Sequence, residues 1–459
     1  MPSANLAARL ESVLGASRVR ATEAELLSFT VDGYSPSAIV LPASAAEVEE
    51  VVRFAASEGL AIISCGSRSK LEIGMPPARY DIALDMRGLC QIAHYDAGDL
   101  TLSVDAGIPL RQLQQTLAHK QQFLPLAVPC FETSTVGGAV ASGIDSVLRQ
   151  QYGAACDFLI GSEFVDGTGN LCKGSGRVVK NVAVGDLHKL LIGSLGTLCV
   201  ITRLNFRTFP LAQASRGCLA SFTTSEAALT FVRLIQATGL KLSNLEVLSP
   251  GIATILAAIL PEAQSTVPQA LEQGRWCAYV SCEGNEAVVQ RISRKLEKIA
   301  RETSVKEWEV LDKSCEESLG GMLREAFEWL RFASSAVLLL RLTLPQFTPD
   351  LTTGLLNMLT MNSLRGVLLL RARGVAYFLL QEYSEEGEAL DRLQKAARNV
   401  IQAVADKQGH TNILHAPLAL KSRVAFRAGT QDNIGLMRRV KHAFDPHGLF
   451  APGRFWEAL

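Results

Sequence analysis

Apolar and polar positions change period along the chain, and each change marks an element. Ala38 to Leu41 form a short apolar run that reads as a strand. Ser44-Ala45-Ala46-Glu47 follows as a capping box, in which the serine oxygen takes an orphan amide and the glutamate reaches back. Val48, Val51, Val52 and Ala55 then recur at helical spacing. Gly59 is placed for a C-cap. Leu60 to Ser64 read as the next strand, and Cys65-Gly66-Ser67-Arg68-Ser69-Lys70 as a small-residue loop. Between Asp99 and Asp105, Leu100, Leu102 and Val104 alternate with Thr101 and Ser103, the pattern of a half-buried strand. Pro109 suits the first turn of a helix running to about Lys120. Phe158 to Val165 and Leu171 to Lys173 flank the turn Asp166-Gly167-Thr168-Gly169-Asn170. Leu198 to Arg207 make a long strand that ends before Pro210.

After Pro210 the pattern restarts. Thr223-Thr224-Ser225-Glu226 opens a capped helix with Leu229, Val232 and Ile235 apolar. Strands fall near Leu245–Leu248, Trp276–Ser281, Ala336–Leu342 and Val375–Leu380, with helices between them. The longest helix runs from about Glu386 to Lys407. This alternation predicts a second α/β domain. A last helix and two turns, Asp445-Pro446-His447-Gly448 and Ala451-Pro452-Gly453, form the tail.

Composition narrows the class. The 459 residues are 48% apolar and 20% charged, with 45 basic and 45 acidic side chains, so the net charge is zero. Disordered chains carry fewer apolar residues and more net charge. A protein held to nucleic acid by its phosphates would show a basic excess. The ten cysteines are scattered, without a Cys-x-x-Cys pair. Iron–sulfur and zinc sites need clustered thiolates, so no metal site is expected. No amino-terminal signal and no apolar run of about 20 residues is read. A reduced, cytoplasmic protein is the expectation.

Three small-residue clusters carry candidate chemistry. They are Gly66 to Lys70, Ser134-Thr135-Val136-Gly137-Gly138-Ala139-Val140-Ala141-Ser142-Gly143, and Gly193-Ser194-Leu195-Gly196-Thr197-Leu198. Glycine lets backbone approach a ligand closely, and successive amides form a nest for an anion. Arg68 and Lys70 add positive charge. None of the clusters matches the dinucleotide fingerprint or the phosphate loop.

The order of these residues resembles a known family. Leu41-Pro42, Glu47-Val48, Val51 and Gly66 to Lys70 are similar to the first half of the FAD-binding domain of vanillyl-alcohol-oxidase-like (PCMH-type) flavoproteins. Thr135-Val136-Gly137-Gly138, Tyr152-Gly153 and Asp157 look like its second flavin loop. Gly176 to Ala183, Asp186-Leu187 and Gly193 to Leu198 look like its last section. The string resembles the FAD-binding subunits of bacterial glycolate oxidase, above all the accessory one. Leu340-Arg341-Leu342-Thr343-Leu344-Pro345 and Phe444 to Phe450 with Pro452-Gly453-Arg454 fit the same pattern.

The resemblance implies an α+β chain: an FAD domain over 1–212 (core 34–211), an α/β, ferredoxin-like cap over 213–415, and a segment over 416–459 that returns to the FAD domain. FAD would be held non-covalently. Gly66, Ser67, Arg68, Ser69 and Lys70 would wrap its pyrophosphate, Thr135, Gly137, Gly138 and Ser142 would line the other side, and Ile201 would sit beside the adenine. The implied reaction takes a hydride from a 2-hydroxy acid such as glycolate or lactate. Electrons would then pass to an iron–sulfur subunit, with membrane association only through partners.

Departures from the family's pattern are also present. Arg68 and Ser69 stand where the first loop usually carries glycine and threonine, Val184 where it carries glycine, Leu148 where it carries arginine, and Ala451 where it carries asparagine. The catalytic subunit's Gly-Glu-His-Gly string is missing. His410 is the nearest substitute for its base, and Arg341 and Arg373 are candidates to clamp a carboxylate. A non-catalytic accessory subunit, and a fold that no longer binds FAD, therefore remain open readings.

Overall fold

The computed structural model describes residues 2–174, 186–260, 267–332, 336–371, 374–382, 387–421, 423 and 431–455. The Gly176-to-Ala183 string, Val184 and Arg373 lie outside these residues. The architecture is mixed α/β, as the resemblance implies. It divides into two compact units: Met1–Asp145, Ala154–Leu211 and Gly429–Leu459 form the first, and Ser146–Gly153 with Ala212–Ala428 the second.

The first unit carries β1 (Val19–Arg20), β2 (Ala38–Val40), β3 (Ile62–Cys65), β4 (Ile82–Asp85), β5 (Ile92–Asp96), β6 (Thr101–Asp105), β7 (Gln122–Phe123), β8 (Leu159–Val165), β9 (Leu171–Gly174), β10 (Val200–Arg207) and β11 (Phe209–Pro210). One sheet has the order β1-β2-β4-β3, with β2, β3 and β4 parallel. Parallel strands need a crossover connection, and the helix Ala45–Glu58 supplies it from β2 to β3, leaving β4 to pair between them. That helix buries Val48, Val51, Val52 and Ala55, and Gly59 closes it at φ +65°. Its start differs from a strict capping box. Ser44 Oγ accepts from Glu47 N at 3.2 Å, but Glu47 Oε2 reaches one residue further back, to Ala43 N at 2.8 Å. Arg18 lies 3.1 Å away and holds the carboxylate there.

The second sheet, β5-β6-β10-β8-β9, is antiparallel. The turn after β8 forms as expected: Asp166 Oδ1 accepts from the amides of Thr168 (2.9 Å) and Asn170 (3.0 Å). The half-buried reading of β6 is corrected. Ser103 and Asp105 are buried too, and Asp105 takes Arg203 of β10 at 2.9 Å. Polarity alone does not show that a charged partner covers the second face. Pro109 is the N-cap of the helix Leu110–Ala118, one residue before its first turn. The tail packs into this unit. Ile62 N donates to Leu449 O at 2.8 Å and Ala451 N to Ile62 O at 2.8 Å, so the tail runs beside β3.

The second unit is built on β12 (Ala214–Phe222), β13 (Asn244–Leu248), β14 (Trp276–Gly284), β15 (Glu307–Val310), β16 (Ala336–Thr343), β17 (Arg365–Arg371), β18 (Val375–Glu382) and β19 (His410–His415). They form one antiparallel sheet, β15-β12-β14-β13-β17-β18-β16-β19. Alternation divides its faces. Ala220, Phe222, Val280, Leu340 and Phe378 join one core with the helices Ser225–Ala237, Glu286–Arg301, Pro349–Met361 and Gly387–Ala405. The amphipathic spacing of those helices supplies the matching stripe, as in Leu393, Ala397, Val400 and Val404.

Candidate functional site

A cleft opens in the first unit, where β3 ends. All ten residues that the resemblance assigns to the cofactor line it: Gly66 to Lys70, Thr135, Gly137, Gly138, Ser142 and Ile201. Close packing explains the glycines. A Cβ on Gly66 would lie 2.1 Å from Thr135 Oγ1, and one on Gly137 would lie 2.7 Å from Ala106 Cβ. A side chain at Gly66 would push the first loop off the second, and one at Gly137 would push the second off Ala106, just after β6.

The first loop has the chemistry of an anion nest. Among the described residues, the amides of Ser67, Arg68 and Ser69 donate to no backbone carbonyl. Arg68 has φ +66°, the left-handed conformation that turns successive amides the same way. Its guanidinium stacks on the Phe29 ring, 4.1 Å from the centroid. Its Nη1 is buried with no hydrogen-bond partner. A buried donor left unpaired costs about 1–3 kcal/mol, so the cleft favours an occupant that accepts. Lys70 Nζ donates to Ser134 Oγ, which places a second cation on the same wall.

The second and third clusters lock together behind the cleft. Thr135 Oγ1 caps the short helix Val136–Ser142 by accepting from Gly138 N at 3.2 Å. Gly193 N donates to Val140 O at 3.0 Å and Leu195 N to Ala141 O at 2.9 Å. Small residues leave that wall flat, and Ile73, Met86, Leu195 and Ile201 make the rest apolar. A flat apolar wall beside an anion nest suits a fused ring system carrying a pyrophosphate. The thiols facing the cleft are poor nucleophiles: burial pushes Cys65 and Cys199 well above the ordinary thiol range.

The catalytic candidates belong to the second unit. Arg341, on β16, is half-buried and pairs with Tyr377 and Asn412. His410 opens the edge strand β19 opposite Thr343 and is exposed. The register puts Arg341 and His410 on one face of the sheet. That face also holds polar residues that strand periodicity does not reveal. Arg371 Nε donates to Glu246 Oε1 at 2.7 Å, with both side chains buried.

Tyr152 of the segment Ser146–Gly153 donates to Glu283 of β14. Burial pushes the Glu283 carboxyl above the ordinary glutamate range, and the Tyr152 bond draws it partly back. The folded state therefore holds this proton more tightly than the unfolded chain. Its stabilising contribution is present below the ordinary glutamate range and is lost as pH rises through the raised value. The thermal midpoint of the wild type, followed from the ordinary glutamate range toward neutral pH, should fall more than that of Glu283→Gln. Parallel profiles would refute this assignment.

Residues 36–175 match the model of an FAD binding domain, and residues 211–344 and 375–455 match that of the C-terminal domain of FAD linked oxidases. Glycolate oxidase subunit GlcE of Escherichia coli (strain K12) is 33% identical over 39% of this chain, and the chain spans about half of that relative, 51%. Glycolate oxidase subunit GlcD of Bacillus subtilis (strain 168) is 22% identical over 92% of this chain and 89% of its own length. Substrate-bound p-cresol methylhydroxylase has a TM-score of 0.77 at 15% identity, covering 100% of this chain and 97% of that one, a likeness of fold.

Proposed function

The chain belongs to the FAD-linked oxidases, and from that membership we propose that it oxidises a 2-hydroxy acid of the glycolate or lactate type. The observation that carries the cofactor half of this reading is the Ser67–Ser69 nest beside a buried, unpartnered Arg68 Nη1. These donors would receive the two phosphates of FAD, with Thr135, Gly137, Gly138 and Ser142 fitting its flat face and Ile201 its adenine end. Bound FAD supplies an acceptor for a hydride from the carbon bearing the hydroxyl. The chain's own tasks are then to hold the substrate carboxylate and take the hydroxyl proton. Arg341 suits the first, as a planar fork for a carboxylate. His410 is the candidate for the second, with Arg373 a further cation.

Glycolate oxidase subunits are among the related proteins, so we also propose work within a complex, with two electrons passing to an iron–sulfur partner. Among the described residues, no group of three or more His, Cys, Asp or Glu side chains that could hold a metal ion is found. No described helix is long and apolar enough to cross a membrane. The missing Gly-Glu-His-Gly string and the likeness to GlcE favour a second reading, an FAD-holding accessory subunit in a cytoplasmic complex.

One sample separates these readings. The purified chain should show flavin bands near ~370 and ~450 nm, from the proposed bound FAD. Adding glycolate or D-lactate without oxygen should bleach the ~450 nm band if the chain is catalytic. A flavin-loaded chain that no 2-hydroxy acid bleaches would leave the accessory role. A colourless chain that takes up no added FAD would overturn both.

A further inference from the structure

Arg454 stands in the tail, within the Pro452-Gly453-Arg454 run that fits the family's pattern, but it is not among the residues the resemblance assigns to the cofactor. It is 2% exposed, and the wall of the cleft includes it. Arginine is almost never fully buried unless something holds its charge. Here its Nη2 donates to the carbonyls of Leu71 and, at 2.6 Å, Ile73. The Asp32 carboxylate lies 3.7 Å from Nη1.

Those two carbonyls belong to the chain just beyond Lys70. The same stretch is held at further points by the tail backbone. Met75 N donates to Arg454 O at 2.9 Å, and Ala78 N to Pro452 O at 2.8 Å. Gly74 permits the approach, since a Cβ there would lie 2.6 Å from Arg454 O. Leu71 N and Ile73 N in turn donate to the carbonyls of Arg68 and Lys70, at 3.1 and 3.2 Å. Bonds therefore run without a break from Arg454, through Leu71 and Ile73, to the residues whose amides form the nest.

We propose that Arg454 is a positioning residue of the cofactor site, holding the Gly66–Lys70 loop open for the pyrophosphate of FAD through the carbonyls of Leu71 and Ile73. This rests on the reading of the cleft as an FAD site. A tail anchor would affect stability alone, whereas a positioning residue also sets cofactor affinity.

The test compares Arg454→Met, Arg454→Lys and Leu449→Ala in the full chain. Leu449 is fully buried in a core cluster that includes none of Gly66–Lys70, so its truncation loosens the tail without removing a contact to the loop. FAD affinity is titrated on each apo-protein by flavin fluorescence, and the thermal midpoint is recorded without FAD. Losing charge-assisted hydrogen bonds should weaken FAD binding by about tenfold or more in Arg454→Met. Arg454→Lys should recover part of it, and Leu449→Ala should lower the midpoint without changing affinity. If Arg454→Met does not fold, a weakened affinity in Arg454→Lys decides. Wild-type affinity in the folded arginine variants overturns the positioning role alone. A wild type that takes up no FAD overturns the cofactor reading as well.

Discussion

Alanine at position 66 is expected to cost the protein its cofactor while leaving the chain folded. The added Cβ would lie 2.1 Å from Thr135 Oγ1, 2.7 Å from its Cγ2 and 2.9 Å from its Cβ. A rotamer change cannot relieve this, because the Thr135 Cβ is itself too close. Thr135 is also held by its cap to Gly138 N at 3.2 Å. The loop from Gly66 to Lys70 must then move. In the apo-protein the chain can stay folded while the loop shifts, since the amides of Ser67, Arg68 and Ser69 donate to no backbone carbonyl among the described residues. With FAD bound, the loop must return to the crowded position. Overpacking of this kind costs about 1–3 kcal/mol, which converts to a loss of up to about a hundredfold in affinity. Titration of the apo-protein with FAD, beside circular dichroism to confirm folding, measures it. Unchanged affinity in a folded Gly66→Ala protein would refute the role of this approach. Thr135→Ala in the same background should restore part of the binding, because it removes two of the three clashing atoms.

What was legible in the sequence follows from how local each cause is. The crossover helix Ala45–Glu58 is written in its own cap and stripe, so its limits emerge directly. The three glycine clusters are legible because a missing side chain is a local fact, although the partner that requires it, such as Thr135 for Gly66, is distant in the chain. The contact Arg454 makes is not legible, although the residue itself stands in a matching run, since its neighbours Leu71 and Ile73 are about 380 residues away and contribute carbonyls, which every residue has. The segment Ser146–Gly153 belongs with the second unit because of its packing, such as Tyr152 on Glu283, and not because of its composition. Arg341 and His410 share a sheet face through the β16–β19 register, which period-2 alternation within each strand cannot supply.

The same limit hides Glu246 and Arg371, and they carry the largest stability effect expected here. Glu246 on β13 stands directly opposite Arg371 on β17. Read strand by strand, each is a polar residue on a face open to water. In the sheet they are paired at 2.7 Å, with side chains 1% and 4% exposed. Arg371 also donates to Leu323 O at 3.2 Å and lies 5.1 Å from the centroid of the Tyr377 ring. Two charges taken out of water gain little net energy from meeting, but one left alone is costly. Glu246→Leu should therefore destabilise the second unit by about 3–5 kcal/mol, and Arg371→Met by a similar amount. The double variant should recover most of the loss, because no uncompensated charge remains and similar volumes fill the face. Urea unfolding followed by tryptophan fluorescence reads this unit well, since Trp276, Trp308 and Trp329 all lie in it. Two single losses that simply add in the double variant would show that the pair is not coupled, and its burial would then need another cause.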